Sequence, residues 1–592
     1  MDGVRAALVS GRVRLGLLGL LAGMSAWLLV DVLPDRMAGL PRLHLFVTSL
    51  GAAFFPAALA LSGPLPPRRA LAAAGLVALP LAGLMAWASL RFDDVAGFLA
   101  TGHPWIGLAL LLGLALPFLI AGLGPGRRPT DYAVLFTQSW MIVVRFAAAW
   151  LFVGLVWGVL FLSNALLGLV GIDVIERLMN RAEMPYLLSG LMLGLALAVV
   201  DELSDYVSPE LVLQLLRLLL PVVLVVVAVF LAALPFRGLS NLFGDFSAAA
   251  ILLAMAFGSA TLVSSGLDAS DERRAPGGLT WWCCRFLALL LPALAALAGV
   301  AVWLRVAQYG LTPDRVVAGA MAALALGYGL AYAGSVLAGP GWGARIRRAN
   351  VGMALVAMAM VAGFFTPALD PQRLAVAHQI ARFESGRVGA EGLDLWAIGR
   401  EWGRAGQAGL ARLAGMEDHP EAARLAERLA ALENAETPYA FERQGESGDV
   451  AQLVADLAGM LPVRPEGRAL PEGLLSSLRL WELQQIGRAC TYRTAGGNPG
   501  CVAVLADLSG ARAGEEVLIV AHNPAGALLV RAYFREAEGV GFTMRSPEFL
   551  TGADFYRAAD AAIDALVAGE FRLVPQRLNA LEVEGRTLFF GR

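Results

Sequence analysis

Long apolar runs of about twenty residues, each closed by a short polar stretch, fill the first two thirds of the chain. A helix needs ~20 mostly apolar residues to cross the ~30 Å hydrocarbon core of a bilayer. Runs at 14–33, 43–62, 70–90, 104–123, 146–170, 186–204, 212–235, 247–267, 281–304, 315–338 and 351–368 meet that length, so the pattern predicts about eleven spans. Glycine and alanine are frequent in them, as suits helices whose backbones approach closely in lipid. The stretch from Tyr132 to Val170 is too long for one crossing, yet only Arg145 interrupts it. Residues 132–145, with Trp140 and Arg145, are therefore expected to form an interfacial helix leading into span five.

Beyond residue 368 the pattern changes. LDPQRLAVAHQIARF, LDLWAIGREWGRAGQAGLARLA and EAARLAERLAALENA read as amphipathic helices, the last opened by an Asp418/Glu421 variant of a capping box. Pro-rich LPVRPEGRALPEG, 461–473, reads as a linker. CVAVLADL, EEVLIVA and GALLVRAYF then read as strands, the latter two joined through Asn523-Pro524-Ala525-Gly526. A helix capped by Thr551 and a closing hairpin turning at Glu584-Gly585 follow. The fold class expected is an α-helical polytopic membrane bundle over 1–368, a soluble helical segment over 369–460 and a small α+β domain over 474–592.

Charge sharpens this division. Only 16% of the 592 residues are charged, against about 25% in soluble domains. Residues 1–368 carry 23 arginines against 18 acids, and residues 369–592 carry 23 against 30. A charge-poor, slightly basic part followed by an acidic part implies two solvents. All 46 basic residues are arginine, which excludes a lysine Schiff base and a P-loop lysine. The acidic soluble part is also a poor surface for nucleic acid.

Positive charge is retained in cytoplasmic loops. Arg5, Arg12 and Arg14 precede span one; Arg68 and Arg69 follow span two; Arg127 and Arg128 follow span four. Arg273 and Arg274 follow span eight, and Arg345, Arg347 and Arg348 follow span ten. All fall on one side when the N-terminus is cytoplasmic, and eleven spans then carry the C-terminal domain to the far side of an inner membrane, the periplasm. No cleavable signal peptide is evident in the first apolar stretch. Cys490 and Cys501 flank a Gly/Asn/Pro turn, CTYRTAGGNPGC, and are expected to form a disulfide, which an oxidising compartment sustains. Cys283 and Cys284 read as packing residues, and neither pair has the spacing of a metal site.

Candidate chemistry is sparse. Asp201, Glu202 and Asp205 close span six; Asp201 and Asp205 share a helix face, and Arg217 in the next helix is placed to pair with them. Intramembrane acids often mark ion paths. The plainer reading is that span six ends near Val200 and the acids are solvated. Ser259, Thr261, Ser264 and Ser265 in span eight suit hydrogen bonds between helices. In the outer loop Tyr309-Gly310-Leu311-Thr312-Pro313-Asp314-Arg315, Thr312 and Pro313 suit a helix start, with Asp314 at its positive end and Tyr309 at the interface. LADLSGARAGEEVLIV is similar to calcium-binding turns between strands, keeping Asp507, Gly510 and Glu516, but Ser509, Ala511 and Arg512 leave it too few oxygen ligands. His378, His419 and His522 stand apart, without a hydrolase or metalloprotease motif. No cofactor or metal is expected.

QYGLTPDRV, 308–316, and LDPQRLAVAHQIARFESGRV, 369–388, together with the span count, resemble a bacterial membrane family known as domain of unknown function 4153. The resemblance covers roughly residues 1–410 and implies an envelope membrane protein, with no catalytic residues to carry over. Three functions stay open. The favoured one is a non-catalytic anchor, scaffold or binding protein whose partners are the lipid bilayer and an envelope protein or glycan. The second is a membrane enzyme on a lipid-linked substrate using Asp93 and Asp94. The third is a transporter or flippase using the acids of span six.

Overall fold

The computed structural model describes residues 2–124, 128–203, 209–237, 248–270, 278–438, 440–441, 447–507, 516–523, 528–535, 542–545, 559–572, 580–583 and 586–589. Asp205, Arg127, Arg273, Arg274, Ser509, Gly510, Ala511, Arg512, the loop 524–526, Thr551 and Glu584-Gly585 lie outside the described residues. Eleven described helices are long and apolar enough to cross a membrane. They are α1 (Asp2–Trp27), α2 (Pro41–Leu61), α3 (Pro67–Ser89), α4 (His103–Leu123), α5 (Tyr132–Gly168) and α6 (Glu183–Glu202), then α7 (Pro209–Arg237), α8 (Ala248–Leu267), α9 (Gly278–Tyr309), α10 (Pro313–Leu337) and α11 (Trp342–Phe364). Proline at the first or second position starts α2, α3, α4 and α10, where its missing N–H costs no helical bond.

The chain forms two compact units, Met1–Leu429 and Ala430–Arg592. The helical segment expected as one piece over 369–460 is shared between them. In the first unit, glycines set the closest helix contact. Gly19 and Gly23 of α1 face Gly190 and Gly194 of α6, and a Cβ on Gly19 would lie 2.1 Å from the Gly190 carbonyl oxygen. Such small-residue pairs let two backbones touch where lipid gives apolar side chains no advantage in burial. Two large apolar cores stand out among the described residues of this unit. One gathers Leu220, Leu287, Leu291 and Tyr332 from α7, α9 and α10; the other gathers Leu61, Met85 and Leu112 from α2, α3 and α4. Helix α11 bridges them, giving Trp342 and Ile346 to the first, and Val361, with Phe365 just past its end, to the second.

The interfacial helix expected over 132–145 is not a separate element. Tyr132–Gly168 is one continuous helix, α5, because the charge that suggested a break is buried and paired: Arg145 is 4% exposed and bound to Asp201. Past α11, Asp370 caps α12 (Pro371–Glu384) by accepting from Gln372 N and Arg373 N. α13 (Gly403–Ala414) and α14 (Ala422–Asn434) follow. The Glu421 carboxylate accepts from Ala390 N at 2.7 Å, so it is engaged away from the start of α14.

The second unit is a five-stranded sheet between helices. The order is β1 (Val463–Arg464), β2 (Cys501–Ala506), β3 (Glu516–His522), β4 (Leu528–Arg535), β5 (Phe542–Arg545), antiparallel except β1 with β2. Cys501, Ala503 and Leu505 face α15 (Ser447–Met460) and α16 (Leu480–Thr491), while Val502 and Val504 face α17 (Ala559–Ala568). Both faces of β2 are therefore covered, which explains its unbroken apolar run. β6 (Ala580–Val583) and β7 (Arg586–Phe589) form the closing hairpin. The Cys490–Cys501 disulfide ties the end of α16 to the start of β2, with Cα atoms 4.8 Å apart.

Candidate functional site

The acids at the end of α6 are each held by an arginine from another helix. Glu202 accepts from Arg12 Nε at 2.8 Å and Nη2 at 2.5 Å, a two-point clamp between α6 and α1. Asp201 accepts from Arg145 Nη2 at 2.8 Å, with Nε 2.6 Å from its other oxygen. Arg217 joins neither. It donates to Asp268 at 2.5 Å and Ser265 O at 3.1 Å and pairs with Glu210 at 3.0 Å. Arg347 reaches Leu267 O at 3.1 Å, so two guanidinium groups satisfy carbonyls at the end of α8 that have no helical donor. Instead of the expected pairing with Asp201, Arg217 caps α8, because Asp268 lies buried beside it; the expected pairing with Asp205 lies outside the described residues.

The Tyr309–Arg315 loop docks on α12, the segment after α11. Gly310 has φ +81°, and a Cβ there would meet the Gln379 and Arg382 side chains. Gln379 donates to Tyr309 O and Leu311 O at 3.3 and 3.1 Å, and Arg382 donates to Gln308 O at 3.1 Å. Leu311 N donates to His378 Nδ1 at 3.2 Å. Burial, aided by Arg382 and Arg387, holds the His378 imidazole below its ordinary value and keeps this acceptor neutral. Thr312 caps α10 from its N-terminus, Pro313 is its first residue, and Arg315 donates to Gly310 O at 2.7 Å. The Tyr309 ring lies beside the Arg305 and Arg315 guanidinium groups, and Asp314 is 3.2 Å from His103 Nε2. Asp93 and Asp94 also have partners. Asp93 binds Arg404 and Gln407, and Asp94 caps the short helix Val95–Ala100.

Between α4 and α10, with α11 as its floor, runs a cavity of about 600 Å³. Val317, Met321, Leu324, Tyr328 and Tyr332 line it at helical spacing along one face of α10; Ile106, Leu110, Gly113 and Pro117 do so along α4. Ile106 and Leu110 are also 62% and 49% exposed, so the cavity is a groove open at the side of the bundle. Asn350 to Phe364 mark its floor, a length of about 21 Å at ~1.5 Å per residue. Polar groups gather at its two ends. At one, Asn350 donates to Tyr132 OH and Ser264 Oγ at 3.3 and 3.0 Å and accepts from Tyr332 OH at 2.6 Å. At the other stand Arg91, Thr101, His103 and Gln372.

Of the span-eight hydroxyls, Ser264 makes the inter-helix bonds expected of it, while Thr261 and Ser265 bond carbonyls of their own helix. The groove itself had no sequence signal. Its walls are apolar like any lipid-facing surface.

In the second unit, the loop between the disulfide cysteines is fastened to α17. Asp564 accepts from Thr494 Oγ1, Asn498 Nδ2 and Gly496 N, which holds its carboxyl below the usual range, and Asp560 accepts from Ala495 N. Glu482 lies 3.4 Å from both Arg531 and Tyr533 OH, and burial pushes the Tyr533 phenol up to about 12. No group of metal-binding side chains is found among the described residues. No family model, curated protein or solved structure matches the chain.

Proposed function

We propose that this is a bacterial inner-membrane binding protein whose first unit holds the chain of one lipid in the α4–α10–α11 groove. The N-terminus is cytoplasmic, and the C-terminal unit works in the periplasm as a non-catalytic module for an envelope protein or glycan. The distribution of arginines supports this orientation, and a disulfide suits an oxidising compartment.

The observation that carries the lipid reading is the groove. Its size lies within the ~300–1,000 Å³ usual for small-molecule sites. Apolar walls open to the side favour a hydrocarbon chain over water. The enzyme reading loses its motive, since Asp93 and Asp94 have structural partners. The Arg12 and Arg145 clamps likewise leave ion coupling through Glu202 and Asp201 without support.

Gly113 lines the groove, and the space where a Cβ would go is open to 4 Å. Gly113→Phe therefore fills the groove without a backbone clash. Mass spectrometry of the lipids that co-purify is expected to show about one retained lipid per wild-type chain and its loss in Gly113→Phe. Equal retention by the two proteins would contradict the reading.

A further inference from the structure

Helix α9 ends at Tyr309 and α10 begins at Pro313, so the turn between them stands at the membrane–water edge of two spans. Three guanidinium groups gather there. Arg305 and Arg315 lie 5.8 and 5.5 Å from the centroid of the Tyr309 ring, one arginine from each helix. Arg382 arrives from α12 and donates to Gln308 O, while Arg315 donates to Gly310 O. Those two bonds cap α9, since cations at a helix C-terminus satisfy its last carbonyls and its negative dipole end. Each bond uses only one of the five N–H donors that a guanidinium carries. Arg305 does no such capping: it has neither a hydrogen bond nor an ion pair among the described residues.

The charge around this turn is unbalanced. Arg305, Arg382 and Asp314 are the charged groups that act on Arg315, so among the described residues one carboxylate faces three cations. The Asp314 side chain is 82% exposed and is shared with His103 at 3.2 Å. On α12 the charges acting on His378 are again cations, Arg382 and Arg387. Glu384, two residues beyond Arg382, is already bound by Arg412 at 2.6 Å.

We propose that Arg305, Arg315 and Arg382 bind the phosphate of an anionic phospholipid in the adjoining leaflet. The site is separate from the α4–α10–α11 groove and does not depend on what the groove holds. A lipid is the occupant because the three groups stand where two spans leave the hydrocarbon, at the level of the head groups. A net negative head group follows from the uncompensated charge, since basic pockets between membrane helices take anionic head groups. Arginine suits phosphate because its planar fork presents paired donors. The Tyr309 ring attracts the Arg305 and Arg315 cations and so holds two of the forks near one point before any ligand arrives.

The test is native mass spectrometry of the delipidated full-length protein in detergent, run on wild type and on Gly113→Phe. The probes are phosphatidylglycerol, phosphatidylcholine with the same acyl chains, and inorganic phosphate. One phosphatidylglycerol per chain is expected to persist in Gly113→Phe, bound about tenfold more tightly than phosphatidylcholine. An arginine beside an anionic head group is worth about fivefold in affinity, so Arg305→Gln, which breaks no hydrogen bond of the fold, is expected to weaken phosphatidylglycerol by that factor. Adding Arg382→Gln is expected to bring the loss to about 25-fold, with phosphatidylcholine unchanged throughout. Asp314→Asn removes the opposing carboxylate and is expected to strengthen phosphatidylglycerol binding, a gain that a structural fault would not produce. Arg36→Gln, an exposed arginine past the end of α1, serves as the control and is expected to change nothing.

Equal affinity for the two phospholipids, or an unchanged affinity in both Arg305→Gln and Asp314→Asn, overturns the proposal. Inorganic phosphate bound as tightly as the lipid makes this a free-anion site and overturns it too. Loss of the phosphatidylglycerol in Gly113→Phe assigns that lipid to the groove and leaves the arginines as caps of α9 alone.

Discussion

Asp201→Asn separates a structural clamp from an ion-coupling acid. The Arg145 side chain is 5% exposed and that of Asp201 25%, and the pair joins α5 to α6 within the bundle. The amide keeps the shape and one acceptor but removes the charge that compensates Arg145, whose other contact is a long 3.4 Å bond to Ala60 O. Removing one partner of a buried ion pair costs about 3–5 kcal/mol, largely because the other charge is stranded. Asp201 retains some access to solvent, which places the expectation at the lower end, about 3 kcal/mol. Replacing both residues with Leu removes the stranded charge, and that double variant is expected to recover most of the loss. Equilibrium unfolding in mixed micelles titrated with dodecyl sulfate measures all three differences, and the double-mutant cycle gives the coupling. Asp201→Asn within about 0.5 kcal/mol of wild type, the range of an ordinary surface change, would refute the clamp and restore interest in a carboxylate that moves protons.

Other expectations test other parts. Gly194→Leu places a Cβ 2.1 Å from Leu15 O at the α1–α6 crossing and is expected to abolish stable expression, whereas Gly258→Ala, with open space around it, is expected to be near neutral in the same assay. The neutral His378 that accepts from Leu311 N stabilises the folded state fully above its ordinary value of 6.5, and that contribution is lost as pH falls through the lower folded value. Protection from hydrogen exchange at 308–312 is therefore expected to weaken as pH falls below 6.5, and protection independent of pH would contradict it. The disulfide closes a loop of sequence separation 11, so Cys490→Ala with Cys501→Ala is expected to lower the stability of the C-terminal unit by about 3 kcal/mol. Maleimide labelling in intact cells is expected to find both cysteines oxidised, and ready labelling without reductant would count against a periplasmic location.

The membrane helices were legible because a single physical requirement, some 20 apolar residues per crossing, is written along the chain and needs no tertiary knowledge. The hairpin of β3 and β4 and the disulfide were equally local, carried by alternation and a turn between two cysteines. What escaped notice depended on partners distant in sequence. Arg145 suggested a break in α5 until Asp201, 56 residues away, neutralised it. Arg217 faced a choice among acids, and Asp268 won because it turns back at the end of α8 with φ +55° and meets the guanidinium. The groove was silent because a side chain facing lipid and one facing an apolar cleft are chosen by the same chemistry. Tyr328 on α10 and Ala354 on α11 look like any other span residues until the fold sets them across from each other.

The most direct measurement is a cryo-electron-microscopy map of the protein in nanodiscs made from bacterial membrane lipid. A continuous tube of density is expected over α11, between Ile106 and Leu110 of α4 and Met321 and Tyr328 of α10, ending beside Arg91 and Gln372. A groove closed by α4 resting directly on α10, with no room for a chain, would contradict it.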